Sequence, residues 1–88
     1  MDLAQTAVPT VRPHVQWHQY LRGIMIEPST ALNETAADFF ERIDGQRSLE
    51  EIATEMMRIY DVEKETLIGD VIAIAKELCA QHIIALSE

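Results

Sequence analysis

The chain changes its sequence pattern at Asn33, and this change is the strongest constraint on its fold. Before Asn33, short apolar and aromatic runs are broken by Pro9, Pro13, Pro28 and the pair 22–23, and no helical period is present. After Asn33, apolar residues recur at helical spacing almost to the end of the chain. Strands that come first and helices that follow predict an α+β fold.

The first third of the chain predicts three short antiparallel strands. Trp17 and Tyr20 are typical of strands, and the pair Arg22-Gly23 offers a turn. The predicted strands span residues 14–21, 24–26 and 30–32. No period precedes them, so we expect a flexible arm over residues 1–10 and one domain over residues 11–88.

The rest of the chain predicts three helices, over about residues 34–44 and 49–60 and from residue 62 onward. Asn33 can cap the first helix and Gly45 can end it, since glycine tolerates a positive φ. Ser48 with Glu51 has the spacing of a capping box, in which side chains satisfy free backbone donors at a helix start. Asp61 can cap the third helix.

The third helix has a wider apolar arc than a single packing contact requires. The first stripe, expected in the core, consists of Leu67, Val71, Ile74 and Leu78. The second stripe beside it consists of Ile68, Ile72, Ala75 and Cys79. Either both stripes are buried in a small helical layer, or the second lines a groove for a partner.

Charge and composition exclude several classes of function. The net charge is −8, and residues 48–88 carry nine acids against three bases. Such a chain repels nucleic acid and anionic membranes. One cysteine excludes an internal disulfide, no apolar run is long enough to span a membrane, and the start lacks the basic residues of a signal peptide, so we expect a cytoplasmic protein.

No motif indicates catalysis, a metal or a cofactor, and we expect a protein that is not an enzyme. His14 and His18 would lie about 13 Å apart along a strand, too far to share one ion. Ser48 opens a helix as the modified serine of an acyl carrier protein does, but Arg47 precedes it where aspartate is expected. A winged-helix regulator is a further alternative, which the acidic third helix disfavours.

The framework Leu32-Asn33, Ala36-Ala37 and Asp44-Gly45, followed by Ser48-Leu49-Glu50-Glu51-Ile52, resembles the PqqD family. The resemblance runs from about Val11 to Leu86. It implies a winged-helix-like β-β-β-α-α-α domain, a recognition element for ribosomally made precursor peptides. The quoted residues specify a fold more than a chemistry.

The resemblance also implies a site and partners. The leader of the precursor peptide would pair as an extra strand along the sheet edge and lie against the third helix, while a radical SAM enzyme cross-links two of the peptide's side chains in pyrroloquinoline quinone biosynthesis. The edge would comprise Ser29, Thr30, Ala31 and Leu32. The helical wall would comprise Ile68, Ile72, Ala75, Lys76 and Cys79. An open edge could also join two copies in a homodimer.

Two departures from the family pattern leave details open. Residues 26–28 read Ile-Glu-Pro where the family commonly has Tyr-Pro-Glu, and His82 stands where glycine often follows the third helix. The sequence therefore does not determine where the third helix ends. It also does not determine which peptide-derived product the pathway makes, since recognition elements of other ribosomal peptide pathways resemble this one.

Overall fold

The structure, a computed structural model, describes residues 5–87 and has the predicted α+β architecture. Three antiparallel strands precede three helices, as expected, and one further strand lies near each end of the described chain. The elements are β1 (Val8–Val11), β2 (Trp17–Tyr20), β3 (Gly23–Ile26), β4 (Thr30–Leu32), α1 (Glu34–Glu41), α2 (Leu49–Met56), α3 (Lys64–Ala80) and β5 (Ile84–Ser87).

The main sheet is antiparallel and has the order β2-β3-β4, so β4 is an edge strand. Ile24 and Ile26 alternate with the less buried Met25 and face α1, which packs on one side of β3. The ring of Trp17 meets that of Phe40 edge-on, with 5.4 Å between the centroids. The first predicted strand begins at Trp17 rather than at residue 14, which leaves β2 short and exposed.

A second sheet joins the two ends of the described chain and was not predicted. β1 pairs antiparallel with β5, with Val8 opposite Ser87 and Val11 opposite Ile84. Residues 8–10 of the expected arm therefore lie in a strand, and Ala7 is buried. Of the other residues of the expected arm, residues 5–7 precede this strand. Residues 1–4 lie outside the part of the chain that the structure describes.

The first two helices begin at the predicted caps and end earlier than predicted. The Asn33 side chain accepts a hydrogen bond of 2.9 Å from the Ala36 amide, and Ser48 and Glu51 form both bonds of the capping box. Helix α1 ends at Glu41 instead of residue 44, and α2 ends at Met56 instead of residue 60. Tighter turns follow both ends, so the apolar spacing continues for a few residues beyond each helix.

Gly45 does not end α1. It lies in the loop after α1, at a point where the chain bends. Its φ is +81°, in the left-handed region that glycine tolerates best. In the same loop the Asp44 carboxylate accepts the backbone N–H groups of Arg47 and Gln46, each at 2.9 Å. These donors lower the pKa of Asp44 below its usual 3.8, because they favour the charged form.

Helix α3 begins later than predicted and ends at Ala80, and a turn at residues 81–83 follows it. Its N-cap is Glu63 rather than Asp61, and the Glu63 side chain makes no capping bond. At the other end, the amides of His82 and Ile83 donate to the carbonyls of Cys79 and Leu78, a Schellman motif. His82 has φ +61° at the position that glycine usually occupies in this motif. No helix within residues 5–87 is long and apolar enough to cross a membrane.

Helix α3 packs against α2, β5 and α1, and its buried face only partly follows the predicted stripes. Leu67, Val71 and Leu78 are buried as expected, whereas Ile74 is only half-buried. Ala75 is completely buried and Ile68 is only 8% exposed, although both were assigned to the second stripe. The face of α3 that packs into the core is thus centred between the two stripes.

Candidate functional site

The open edge of β4 is the first component of the candidate site. Among the described residues β4 pairs with β3 alone, with Thr30 opposite Ile26 and Leu32 opposite Ile24. Alternate backbone N–H and C=O groups of an edge strand point away from the sheet and can pair with a further strand. Thr30, Ala31 and Leu32 lie on this open edge, and Ser29 lies in the turn just before the strand.

A groove runs between this edge and α3, and we call it the β4–α3 groove. One part encloses about 300 Å³ and is lined by Ala31, Leu32, Asn33, Ala36, Ala73, Ile74, Glu77 and Leu78. A second part of about 330 Å³ shares four of these residues and adds Thr35 and Asp70. The two parts lie side by side. The surface of the first is mainly apolar, and that of the second is about equally polar and apolar.

A hydrogen-bonded chain of side chains connects the strand to the helix at one end of the groove. The Thr30 hydroxyl donates to Oε1 of Gln81 at 2.8 Å, and Nε2 of Gln81 donates to Oε1 of Glu77 at 2.9 Å. Gln81 is the C-cap of α3, so the chain ties β4 to the end of the helix. The Thr30–Gln81 bond links the two walls at this end of the groove.

The charges around the groove are negative. Asp70 and Glu77 project from α3 along it, and no lysine or arginine is among the residues that line either part. An apolar floor beside two carboxylates suits an extended segment with apolar side chains and a positive charge. The groove has no arrangement of nucleophile and base that would support catalysis.

The predicted helical wall does not coincide with the residues of α3 that line the β4–α3 groove. Ala75 and Ile68 belong to the core and have almost no surface to offer a ligand. None of Ile68, Ile72, Ala75, Lys76 and Cys79 lines the groove.

The reason is the rotation of α3 about its axis. Residues of a helix are about 100° apart, so Ile72 lies on the flank nearly opposite Ile74. The flank that faces β4 carries Ile74 with Asp70, Ala73 and Glu77. The apolar arc revealed the width of the helix face but not which of its margins meets the sheet. Ile74, at the margin of the first stripe next to Asp70 and Glu77, was the signal that the sequence offered.

The other residues considered for a functional role in the sequence make structural contacts. Nδ1 of His18 lies 3.1 Å from a carboxylate oxygen of Glu27, its neighbour across the hairpin. Within residues 5–87 no three histidine, cysteine or acidic side chains are grouped to hold a metal ion. The Ser48 hydroxyl is buried and accepts the Glu51 amide at 3.1 Å, so it is not available for attachment of a carrier group.

Fold and groove together define a class: small α+β domains that present an open strand edge beside the flank of a helix. Extended peptides add to such edges, because the edge supplies backbone hydrogen bonds and the flank supplies side-chain contacts.

The comparison with known families specifies this class further. The family described as Coenzyme PQQ synthesis protein D (PqqD) matches residues 22–84, more than half of the chain. The chain therefore belongs to the PqqD family. Proteins of this family are non-catalytic accessory proteins that bind peptides in coenzyme PQQ synthesis. No curated protein and no solved structure matches the chain.

Proposed function

We propose that this chain binds the leader segment of a ribosomally made precursor peptide and presents it to a radical SAM enzyme in pyrroloquinoline quinone biosynthesis. The observation that carries the proposal is the β4–α3 groove, in which an unpaired strand edge lies beside an apolar helix flank. Membership of the PqqD family supports the pathway.

The leader adds to the sheet next to β4 as a fourth strand. Its backbone pairs with the outward-facing groups of Ser29–Leu32, and alternate side chains enter the groove against Ala73 and Ile74. This assignment keeps the edge inferred from the sequence and replaces the helical wall. An apolar leader side chain covers the half-buried Ile74, which removes apolar surface of both partners from water.

A basic leader residue fits beside Asp70 and Glu77. These carboxylates flank the apolar floor on α3, where they steer a positive segment toward the edge and disfavour an acidic one. The same groove would serve the recognition element of another ribosomal peptide pathway, and that is the second candidate function. The family match favours the PQQ pathway over it.

A direct titration tests the proposal against the nucleic-acid alternative. The fluorescently labelled leader of the precursor peptide and a labelled DNA duplex are each titrated with the protein, and anisotropy is recorded at moderate salt. We expect saturable binding of the leader and none of the duplex, because a chain of net charge −8 cannot neutralise phosphates. A leader with the same composition in scrambled order is the control.

Binding of the duplex without binding of the leader would overturn the proposed function. Equal binding of the leader and its scrambled control would also contradict it, since a groove with an apolar floor must distinguish the order of side chains.

A further inference from the structure

A second surface lies on the opposite side of α1 from the groove. It is formed by the tip of the β2–β3 hairpin with Leu21 and Arg22, by Glu34, Asp38 and Glu41 of α1, and by Ile59 after α2. We call it the hairpin-tip surface. It surrounds a depression of about 350 Å³ and shares no lining residue with the β4–α3 groove. The two surfaces can therefore be occupied at the same time.

Two apolar side chains that line this depression are largely exposed. Leu21 is 90% exposed and Ile59 is 65% exposed. Leu21 also has φ +56°, a left-handed conformation that glycine or asparagine adopts more readily than leucine. A leucine that is this exposed and has this φ gains little from burial in the folded chain. Apolar residues grouped in this way on a soluble domain mark an interaction surface.

The charges around these residues indicate what covers them. Three carboxylates of α1 face one guanidinium, that of Arg22. Asp38 already pairs with Arg42 at 2.8 Å. Glu34 and Glu41 are exposed at the rim, where Glu41 accepts a 3.4 Å hydrogen bond from Gln19 but has no cationic partner among the described residues. A second copy of this chain would bring the same acidic rim against itself in a symmetric contact, which its net charge of −8 opposes. The complementary occupant is an apolar side chain flanked by arginine or lysine.

We propose that the hairpin-tip surface docks a partner protein that inserts an apolar side chain between Leu21 and Ile59 and presents basic residues to Glu34 and Glu41. The choice of partner rests on the proposed function: it is the enzyme that modifies the peptide held in the β4–α3 groove. The domain then holds peptide and enzyme on opposite sides of α1.

The test uses three single variants of the full chain. Leu21→Asn and Ile59→Ser remove the exposed apolar groups, and asparagine suits the left-handed backbone at position 21. Val62→Ser is the matched control, because Val62 is 44% exposed in the same α2–α3 connection but does not line the depression. Thermal melting verifies the fold of each variant. The radical SAM enzyme of the same pathway is the binding probe, and the labelled leader peptide is measured in parallel.

We expect Leu21→Asn and Ile59→Ser each to weaken enzyme binding about tenfold, since an apolar side chain inserted at the centre of an interface contributes about that much. Leader affinity should be unchanged in both, and Val62→Ser should change neither affinity. Added salt should slow association of the enzyme with the wild type.

Two results would overturn the inference. If the enzyme binds the wild type and both variants equally, the surface is not its docking site, while the proposed function stands if the leader still binds. If neither the leader nor the enzyme binds the wild type, the proposed function and the docking site both fail.

Discussion

At the scale of single residues, three backbone positions within residues 5–87 have a positive φ that favours glycine, and two of them are not glycine. Gly45 meets its requirement, whereas Leu21 and His82 adopt a left-handed φ without being glycine. Each such residue costs about 1 kcal/mol or more relative to glycine. Leu21 lies on the proposed docking surface, and His82 lies in the turn between α3 and β5.

Replacing His82 with glycine should therefore stabilise the fold. His82 is exposed and occupies the left-handed position of the Schellman motif, so His82→Gly should raise the free energy of unfolding by about 1 kcal/mol. Ala80→Gly, at the last residue of α3, is the control and should lower it, since glycine is less favourable than alanine in a helix. Chemical denaturation measures both. A lower stability for His82→Gly would show that the imidazole makes a contact worth more than the backbone cost.

The two glycines at positions 45 and 69 should respond to alanine with opposite signs. Gly45 has φ +81°, so Gly45→Ala should destabilise by about 1 kcal/mol, although the new β-carbon would meet only the Thr10 methyl at 3.5 Å. Gly69 lies exposed within α3, where a β-carbon has nothing within 4 Å. Gly69→Ala should therefore stabilise by up to about 1 kcal/mol. Thermal melts of both variants decide, and changes of the same sign would contradict this assignment of backbone roles.

At the scale of elements, the two flanks of α3 should separate folding from recognition. Ile72 and Ile74 are both half-buried and packed against the core, but only Ile74 lines the β4–α3 groove. Ile72→Ser and Ile74→Ser should cost similar folding stability. Only Ile74→Ser should weaken the leader peptide, by about tenfold. Peptide titration and denaturation of both variants measure the two effects. A larger loss of leader affinity for Ile72→Ser would show that the leader contacts the helical wall predicted from the sequence.

The elements that the sequence predicted well depend on local signals. The caps at Asn33 and Ser48 act within three residues, and the strand and helix periods are visible in short windows. The rotation of α3 is not a local property. It is determined by the packing of α3 against α2 and β5, and a 3.6-residue period does not record which margin of an apolar arc then faces β4.

At the scale of the whole molecule, the sheet of β1 and β5 shows the same limit. Its strands pair residues near opposite ends of the chain, such as Val8 with Ser87, and no pattern within either segment identifies the other. Pro9 made the first segment look like a loose arm, yet its side chain is buried against the core. A two-stranded sheet tolerates proline because each strand has an open edge.

The acidic character of the molecule has a consistent interpretation at this scale. Acidic side chains border the β4–α3 groove through Asp70 and Glu77, and they border the hairpin-tip surface through Glu34 and Glu41. Both surfaces combine carboxylates with apolar groups. A net charge of −8 is therefore in keeping with basic, partly apolar partners on both sides of α1, and it opposes nucleic acid.

Amide hydrogen exchange tests the central claim most directly, because strand addition makes hydrogen bonds to the backbone itself. Exchange is recorded for each amide with and without the leader peptide. β4 and β2 are the two edges of the same sheet, so β2 serves as an internal control. We expect the leader to slow exchange of the outward-facing amides within Thr30–Leu32 and to leave Trp17–Tyr20 unchanged. Protection at β2, or leader binding with no protection at β4, would contradict the account.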